Sequence, residues 1–177
     1  MATEHGTVDL SEDDLRAVTA FAVACAERVL SIFEDCYPDD RRPREAIDAA
    51  RAFSRGAKRT NALRQSGFAA LKAAGAATAP AAAQAARAAS HAAGAAFLHP
   101  LADANQVKHI LGAAANAALA EELSGTTDED EGTLSWAGAY MPSEVADVLG
   151  RFPPAPDGGG RAGAMLRTLD ASVRARS

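Results

Sequence analysis

The chain has 177 residues and a formal net charge of −5, which is enough length for one domain with an apolar core. Hydrophobic residues make up 48% of it and aromatic residues only 5%, so the core is expected to be built mostly from small side chains. The acidic balance argues against a nucleic-acid-binding protein, which needs a basic surface stripe.

The first predicted helix begins at Ser11, a good N-cap whose acidic successors suit the positive end of a helix. Behind it, apolar residues recur in steps of three and four, the pattern of one buried helical face. These residues are Leu15, Val18, Ala22, Cys25, Val29, Ile32 and Cys36. The pattern predicts a single helix that ends before Pro38.

The second predicted helix starts near Pro43, which suits a first helical turn, and stops at Gly56. Its inner face includes Phe53, which we expect to be one of the few large core anchors together with Ile32 of the first helix. Both predictions follow from the helical spacing of the apolar residues.

Three further helices are predicted over residues 61–77, 81–99 and 103–123, with proline between them as a breaker. The last of them is expected to bury Val107, Ile110, Leu111, Ala114 and Leu119. No period-two strand pattern of useful length occurs. The predicted fold class is therefore all-α: a compact, alanine-rich bundle of about five main helices, with short helices towards the C-terminus.

The composition changes after this bundle. A polar, acidic loop covers residues 124–133, and a short helix follows Pro142. Residues 151–160 are rich in proline and glycine and are typical of a linker. We therefore predict a helical domain over residues 11–150, a linker over 151–160 and a peripheral C-terminal helix over 161–177.

Charge is segregated along the chain. Residues 1–40 carry two arginines against ten acids, and residues 41–64 carry eight basic residues against two acids. These two blocks are expected to pair between neighbouring helices. Residues 121–150 carry eight acids and no lysine or arginine, so this block is expected to present a negative face to solvent or to a partner.

Two groups within the acidic block are candidates for binding a partner. The first is the acidic quartet Asp128, Glu129, Asp130 and Glu131. The second is the aromatic pair Trp136 and Tyr140, which either covers the bundle or forms an exposed interaction hot spot.

A different candidate is a polar pocket at the corner between the first two predicted helices. It would contain Asp39, Asp40, Arg42, Arg44 and His91. Capping and local ion pairing around a helix start explain the same charged residues without a ligand. His91 is expected to reach this corner from the fourth helix.

No catalytic or cofactor motif is evident. His91, His99 and His109 are spaced by eight and ten residues, whereas two helical metal ligands usually lie three or four residues apart. We therefore expect no metal site and no cofactor. Neither a secretory signal nor an apolar run long enough for a membrane span is evident, and two reduced cysteines favour a cytoplasmic protein.

Three stretches carry a family resemblance. They are CAERVLSIFEDCYPDDRRPREAIDAARAFSRG from Cys25 to Gly56, the run ARAASH that ends at His91, and Trp136 with Met141-Pro142 and the helix after them. Over roughly residues 12–150 the chain resembles the Imm-5-like family of polymorphic-toxin immunity proteins, common in actinobacteria. The segment Pro100–Lys108 and the acidic loop depart from the family pattern.

The resemblance implies a non-enzymatic protein that binds a toxin and blocks it, with a basic toxin domain as the natural partner for an acidic face. A small helical enzyme or biosynthetic accessory protein that uses the polar corner is the alternative. Homo-oligomerisation also stays open at this point.

Overall fold

A computed structural model describes residues 6–126 and 132–177. Within these residues the chain is all-α, as predicted, and its one extended pairing is an isolated antiparallel bridge between Thr7 and Leu101. The helices are α1 (Glu12–Glu27), α2 (Leu30–Cys36), α3 (Arg42–Ser54), α4 (Asn61–Ala76), α5 (Pro80–Ala95), α6 (Val107–Ser124), α7 (Thr133–Tyr140), α8 (Ser143–Gly150) and α9 (Gly160–Arg174).

The helix ends have local chemical causes. Ser11 and Asp14 form a capping box at the start of α1, in which each side chain bonds the other residue's backbone N–H at 3.0 and 2.9 Å. Thr60 caps α4 through its hydroxyl. Gly125 ends α6 with a φ of 71°, a left-handed conformation that glycine adopts at little cost.

Helix α5 lies at the centre of the bundle and packs against α1, α2, α3, α4 and α6. Every fully buried residue of α5 is an alanine. Because alanine adds little volume, the neighbouring helices approach this one closely, and the large core side chains come from the helices around it. Those large and fully buried side chains include Phe21, Phe33, Phe53, Ile47, Ile110 and Leu111.

Glycines let α4 and α6 approach α5 at two points. A methyl group added to Gly67 of α4 would lie 3.2 Å from the Cβ of Ala93. A methyl group added to Gly112 of α6 would lie only 2.6 Å from Nδ1 of His91. At this second point the helix packing therefore depends on the absence of a side chain.

The first predicted helix is two helices, which is a correction to the sequence analysis. The chain leaves helical geometry at Val29, where φ is −119° and ψ is 1°. The break turns the following residues, so that Leu30 and Phe33 are buried while Ile32 is only partly buried and Cys36 is exposed. Phe53 is a core anchor as expected, at 1% exposure, but Phe33 takes the place predicted for Ile32.

The later helices complete the bundle. All five residues predicted to be buried in the fifth helix are buried in α6. Helix α9 packs against α6, α7 and α8 and buries Met165, Leu169 and Val173. Arg174 of α9 donates hydrogen bonds to the carbonyl oxygens of Leu149 and Phe152 at 3.1 Å each, so the C-terminal helix closes the end of α8.

We expect Gly112→Ala to destabilise the protein by about 1–3 kcal/mol, the usual cost of forcing extra volume into a packed core. Gly75→Ala is the matched control, since an added Cβ there meets nothing within 4 Å on the outer surface of α4. It should stabilise the helix by about 0.5–1 kcal/mol. Chemical denaturation of both variants measures the difference, and equal stability of the two would show that α5 and α6 are not packed this closely.

Candidate functional site

The aromatic pair of α7 forms a stacked surface element. Trp136 and Tyr140 lie one helical turn apart, with ring centroids at 4.4 Å and ring planes 12° from parallel. Phe21 of α1 lies beneath them, 6.5 Å from the Tyr140 ring. Trp136 is partly buried, whereas Tyr140 is 50% exposed. The pair is therefore packed against Phe21 and leaves half of the Tyr140 side chain exposed to solvent.

Arg28 covers the other side of this aromatic pair. Its guanidinium carbon lies 4.5 Å from the Trp136 ring centroid, and its Nε donates to the Thr133 hydroxyl at 2.9 Å. That hydroxyl donates to the carboxylate of Glu121 at 2.6 Å, and the Thr133 backbone N–H donates to it at 2.7 Å. The result is a polar connection from the end of α1, through the start of α7, to the end of α6.

We define the α7 surface as Arg28, Glu121, Thr133, Trp136 and Tyr140. Sequence reasoning identified the two aromatic residues but missed the other three as members of this surface. Arg28 reaches it because the α1–α2 break places it at the end of a helix, and the sequence around residue 29 contains no glycine or proline to signal that break.

The acidic quartet Asp128–Glu131 lies outside the described residues, between the end of α6 and the start of α7. Of the described acids beside it, Glu121 is engaged with Thr133. Glu122 accepts two hydrogen bonds from Arg161 at 3.0 and 2.7 Å, and this contact lowers the pKa of the Glu122 carboxyl. Glu144 and Asp147 of α8 are exposed.

The predicted polar corner consists of closed local pairs. Asp40 accepts from the Arg42 side chain at 2.9 and 2.6 Å and from its backbone N–H at 3.1 Å. The hydrogen bonds from the Arg42 side chain hold the pKa of Asp40 below its ordinary value. Arg44 donates to Glu34 at 2.5 and 2.7 Å, while Asp39 is exposed. The corner thus ties α2 to the start of α3.

The acidic and basic blocks of the first 64 residues pair between helices, as the charge pattern suggested. Glu34 of α2 holds Arg44 of α3, and Glu27 of α1 forms an ion pair with Arg51 of α3. These pairs use part of the basic block in holding the bundle together.

His91 does not lie at the corner. Eleven residues separate it from the start of α5, a rise of about 16 Å along the helix. The corner lies at that start, since the Tyr37 hydroxyl accepts from the backbone N–H of Thr78 at 2.8 Å and of Ala79 at 3.2 Å. The five residues of the predicted pocket are therefore not brought together.

His91 instead belongs to a reciprocal pair of histidines between α5 and α6. The His91 ring packs over Gly112, and the His109 ring packs near Gly94, with its Nδ1 3.1 Å from the Gly94 carbonyl oxygen. Burial lowers the pKa of both histidines, that of His91 to about 4. Both rings are therefore neutral at pH 7 and act as packing groups between the helices.

The described residues offer no assembled metal site, and Cys25 is not an activated thiol. Nowhere in residues 6–126 and 132–177 do three histidine, cysteine or carboxylate side chains come together as ligands for a metal ion. Burial raises the pKa of the Cys25 thiol to about 12, so this side chain packs as an apolar group. None of the helices in the same residues combines the length and apolarity needed to cross a bilayer.

Comparison with known families adds to this geometry. Residues 9–144 match the family model described as "Imm-5 like putative immunity protein". The chain belongs to this family. The match runs from the residues before α1 to the start of α8 and leaves α9 outside it. No curated protein and no solved structure matches the chain.

Membership confirms the resemblance found in the sequence, and the family's description implies a protein partner. The α7 surface lies within the matched residues, and so does the polar corner. The two differ in what they leave accessible: the corner's charged groups largely satisfy one another, whereas Tyr140 of the α7 surface is half exposed.

The neutral state of His91 predicts a pH-dependent stability. Its folded pKa, about 4, lies below the ordinary value of 6.5, so the stability it contributes is present above pH 6.5 and is lost as the pH falls towards 4. Between pH 7 and pH 5 the expected loss is on the order of 1–2 kcal/mol, at about 1.4 kcal/mol per pKa unit.

Denaturant unfolding at pH 7 and pH 5 measures this loss. We expect His91→Gln to remove the part of the loss that is due to His91 and to leave the part that is due to His109, whose pKa is also lowered by burial. The control His99→Gln, at an exposed position, should keep the dependence of the parent protein. An equally steep loss in His91→Gln would assign the acid sensitivity to other groups.

Proposed function

We propose that this protein neutralises a cognate toxin in the cytoplasm by binding it through the α7 surface and the acidic segment before it. The observation that carries the proposal is the Trp136–Tyr140 stack, in which a supported aromatic pair leaves Tyr140 half exposed. Tyrosine and tryptophan are enriched among residues that dominate binding energy at protein interfaces.

The ring support beneath Tyr140 favours this use. Phe21 lies under the ring and Arg28 covers its neighbour Trp136, so the aromatic surface is already ordered before a partner arrives. A preformed contact loses less side-chain entropy on binding than a mobile one. Tyr140 is then the expected anchor, and Trp136 is its positioning neighbour.

Charge supports a basic partner. Residues 121–150 contain eight acids and no basic residue, and Glu144 and Asp147 of α8 are exposed beside the aromatic pair's helix. Such a face attracts a basic toxin surface, speeds association and is sensitive to salt. A toxin whose active-site cleft is basic, as in a nuclease, would be blocked by this face.

The test uses the protein partner that a pull-down from the native host returns, and measures its binding kinetics at low and high salt. We expect Tyr140→Ala to weaken binding by about thirtyfold or more, mainly through faster dissociation, because a hot-spot truncation costs about 2 kcal/mol or more. Leu101→Ala is the control, since Leu101 is a 44% exposed apolar residue elsewhere on the molecule.

A second variant tests the contribution of the acidic segment to association. Replacing Asp128, Glu129, Asp130 and Glu131 by their amides should slow association and flatten its salt dependence, since exposed charges act over about 8–10 Å and mainly on the association rate. The control is the double variant Asp35→Asn and Asp39→Asn, because both are exposed acids that are distant in sequence from the acidic segment. Unchanged association in the amide variant together with unchanged affinity in Tyr140→Ala would refute the proposed surface.

A further inference from the structure

A second surface feature lies between α4 and α5, well away from the α7 surface. It is a cleft of about 190 Å³, with a floor of small residues that includes Gly67, Ala93 and Gly94. Its size matches a single ring, since an apolar cavity of about 150 Å³ accommodates benzene. Drug-sized ligands occupy about 300–1,000 Å³, so the cleft is suited to one bulky side chain.

The rim of the cleft is apolar and exposed. Phe68 is 58% exposed and Leu71 is 42% exposed, and both line the cleft together with Phe97. Single exposed apolar residues are common on protein surfaces, but these two adjoin a concave apolar site. Contiguous exposed apolar area of this kind marks interaction surfaces.

The charge at the cleft is positive. The guanidinium carbons of Arg64 and Arg59 lie 4.5 and 5.5 Å from the same Phe97 ring centroid. Arg59 also donates to the Ala96 carbonyl oxygen at 3.0 Å, where α5 has just ended, so this arginine has a structural role.

The Arg64 side chain contacts the Phe97 ring but makes no such hydrogen bond among the described residues. It lines the cleft, and no ion pair formed among the described residues includes it. His109, the other titratable group of the lining, is held neutral by burial, which lowers its pKa. Arg64 is therefore the charge that an occupant of the cleft would meet.

The charge and shape of the cleft distinguish three possible ligands: a second copy of the chain, a small free acid and a segment of another protein. The residues that line the cleft include no carboxylate, so the same cleft of a second copy would offer Arg64 no partner of opposite charge. A free ring-sized acid would fill the cleft but leave Phe68 and Leu71 uncovered on the rim. A protein segment covers both the cleft and its rim.

We propose that this cleft docks an acidic segment of a partner protein, which inserts one aromatic or large aliphatic side chain and pairs a neighbouring carboxylate with Arg64. The site is independent of the proposed toxin surface. Twelve residues of α6 separate His109 at the cleft from Glu121 at the α7 surface, a distance of about 18 Å along the helix.

The test uses nuclear magnetic resonance of the isotope-labelled protein, titrated with three capped pentapeptides to millimolar concentration. The peptides have phenylalanine between two pairs of aspartates, alanine between the same aspartates, and phenylalanine between two pairs of lysines. We expect the first peptide to shift amide signals of residues 64–71 and 90–97 and to bind several-fold more tightly than the other two.

Two variants locate the binding. Arg64→Gln should weaken the acidic phenylalanine peptide about three- to fivefold at low salt, the range expected for one exposed ion pair. Phe68→Ala should weaken it by a similar factor without changing the fold, because Phe68 is mostly exposed. Arg41→Gln is the control, since it removes an exposed positive charge outside the cleft.

Three outcomes would overturn the proposal. They are no shifts at residues 64–71 and 90–97 with any peptide, equal binding of the three peptides, and equal effects of Arg64→Gln and Arg41→Gln. A fourth titration, with 3-phenylpropionate, tests whether the carboxylate must belong to a peptide. Binding as tight as that of the acidic phenylalanine peptide would reassign the cleft to a free carboxylic acid. Each of these results leaves the toxin-binding test unaffected.

Discussion

The close packing of an alanine helix is the constraint on which the rest of the structure depends. Helix α5 contacts five other helices, and its fully buried residues are all alanine. Its neighbours can approach closely because these side chains are small, and Gly67 of α4 and Gly112 of α6 leave room for Ala93 and for the His91 ring. The apolar area buried per residue is small, so the bundle needs many short contacts and tolerates little added volume where the helices touch.

This packing also determines where the large side chains lie. With α5 filled by alanine, the anchors Phe21, Phe33 and Phe53 come from helices around it. Some aromatic side chains on the surrounding helices remain partly exposed to solvent. Tyr140 stacks on Trp136 above Phe21, and Phe68 lies at the rim of a cleft that is lined by small residues. Both proposed interaction surfaces are thus places where the thin core leaves apolar area exposed.

Much of the fold was predictable from local signals. Ser11, Pro43 and Pro80 lie at the starts of helices for reasons that are visible in the sequence, and the apolar spacing identified five of the residues that α6 buries. The break at Val29 was not predictable, because no glycine or proline marks it and the apolar spacing continues through it. Trp136 and Tyr140 were recognised as aromatic residues beside the acidic loop, but their stacking was not, because no helix was predicted over residues 133–140. The roles of Arg28 and His91 depend on which helices become neighbours, which local patterns do not encode.

Amide hydrogen exchange in the native protein tests the central role of α5 most directly. Helix α5 packs on five helices, whereas α9 packs at the side of the bundle, so the amides of α5 and of the facing part of α6 should exchange only by global unfolding. Amides of α9 should exchange faster, through local opening. If α5 amides exchanged as fast as those of α9, or opened before those of α1, the alanine helix would not be the element that holds the bundle together.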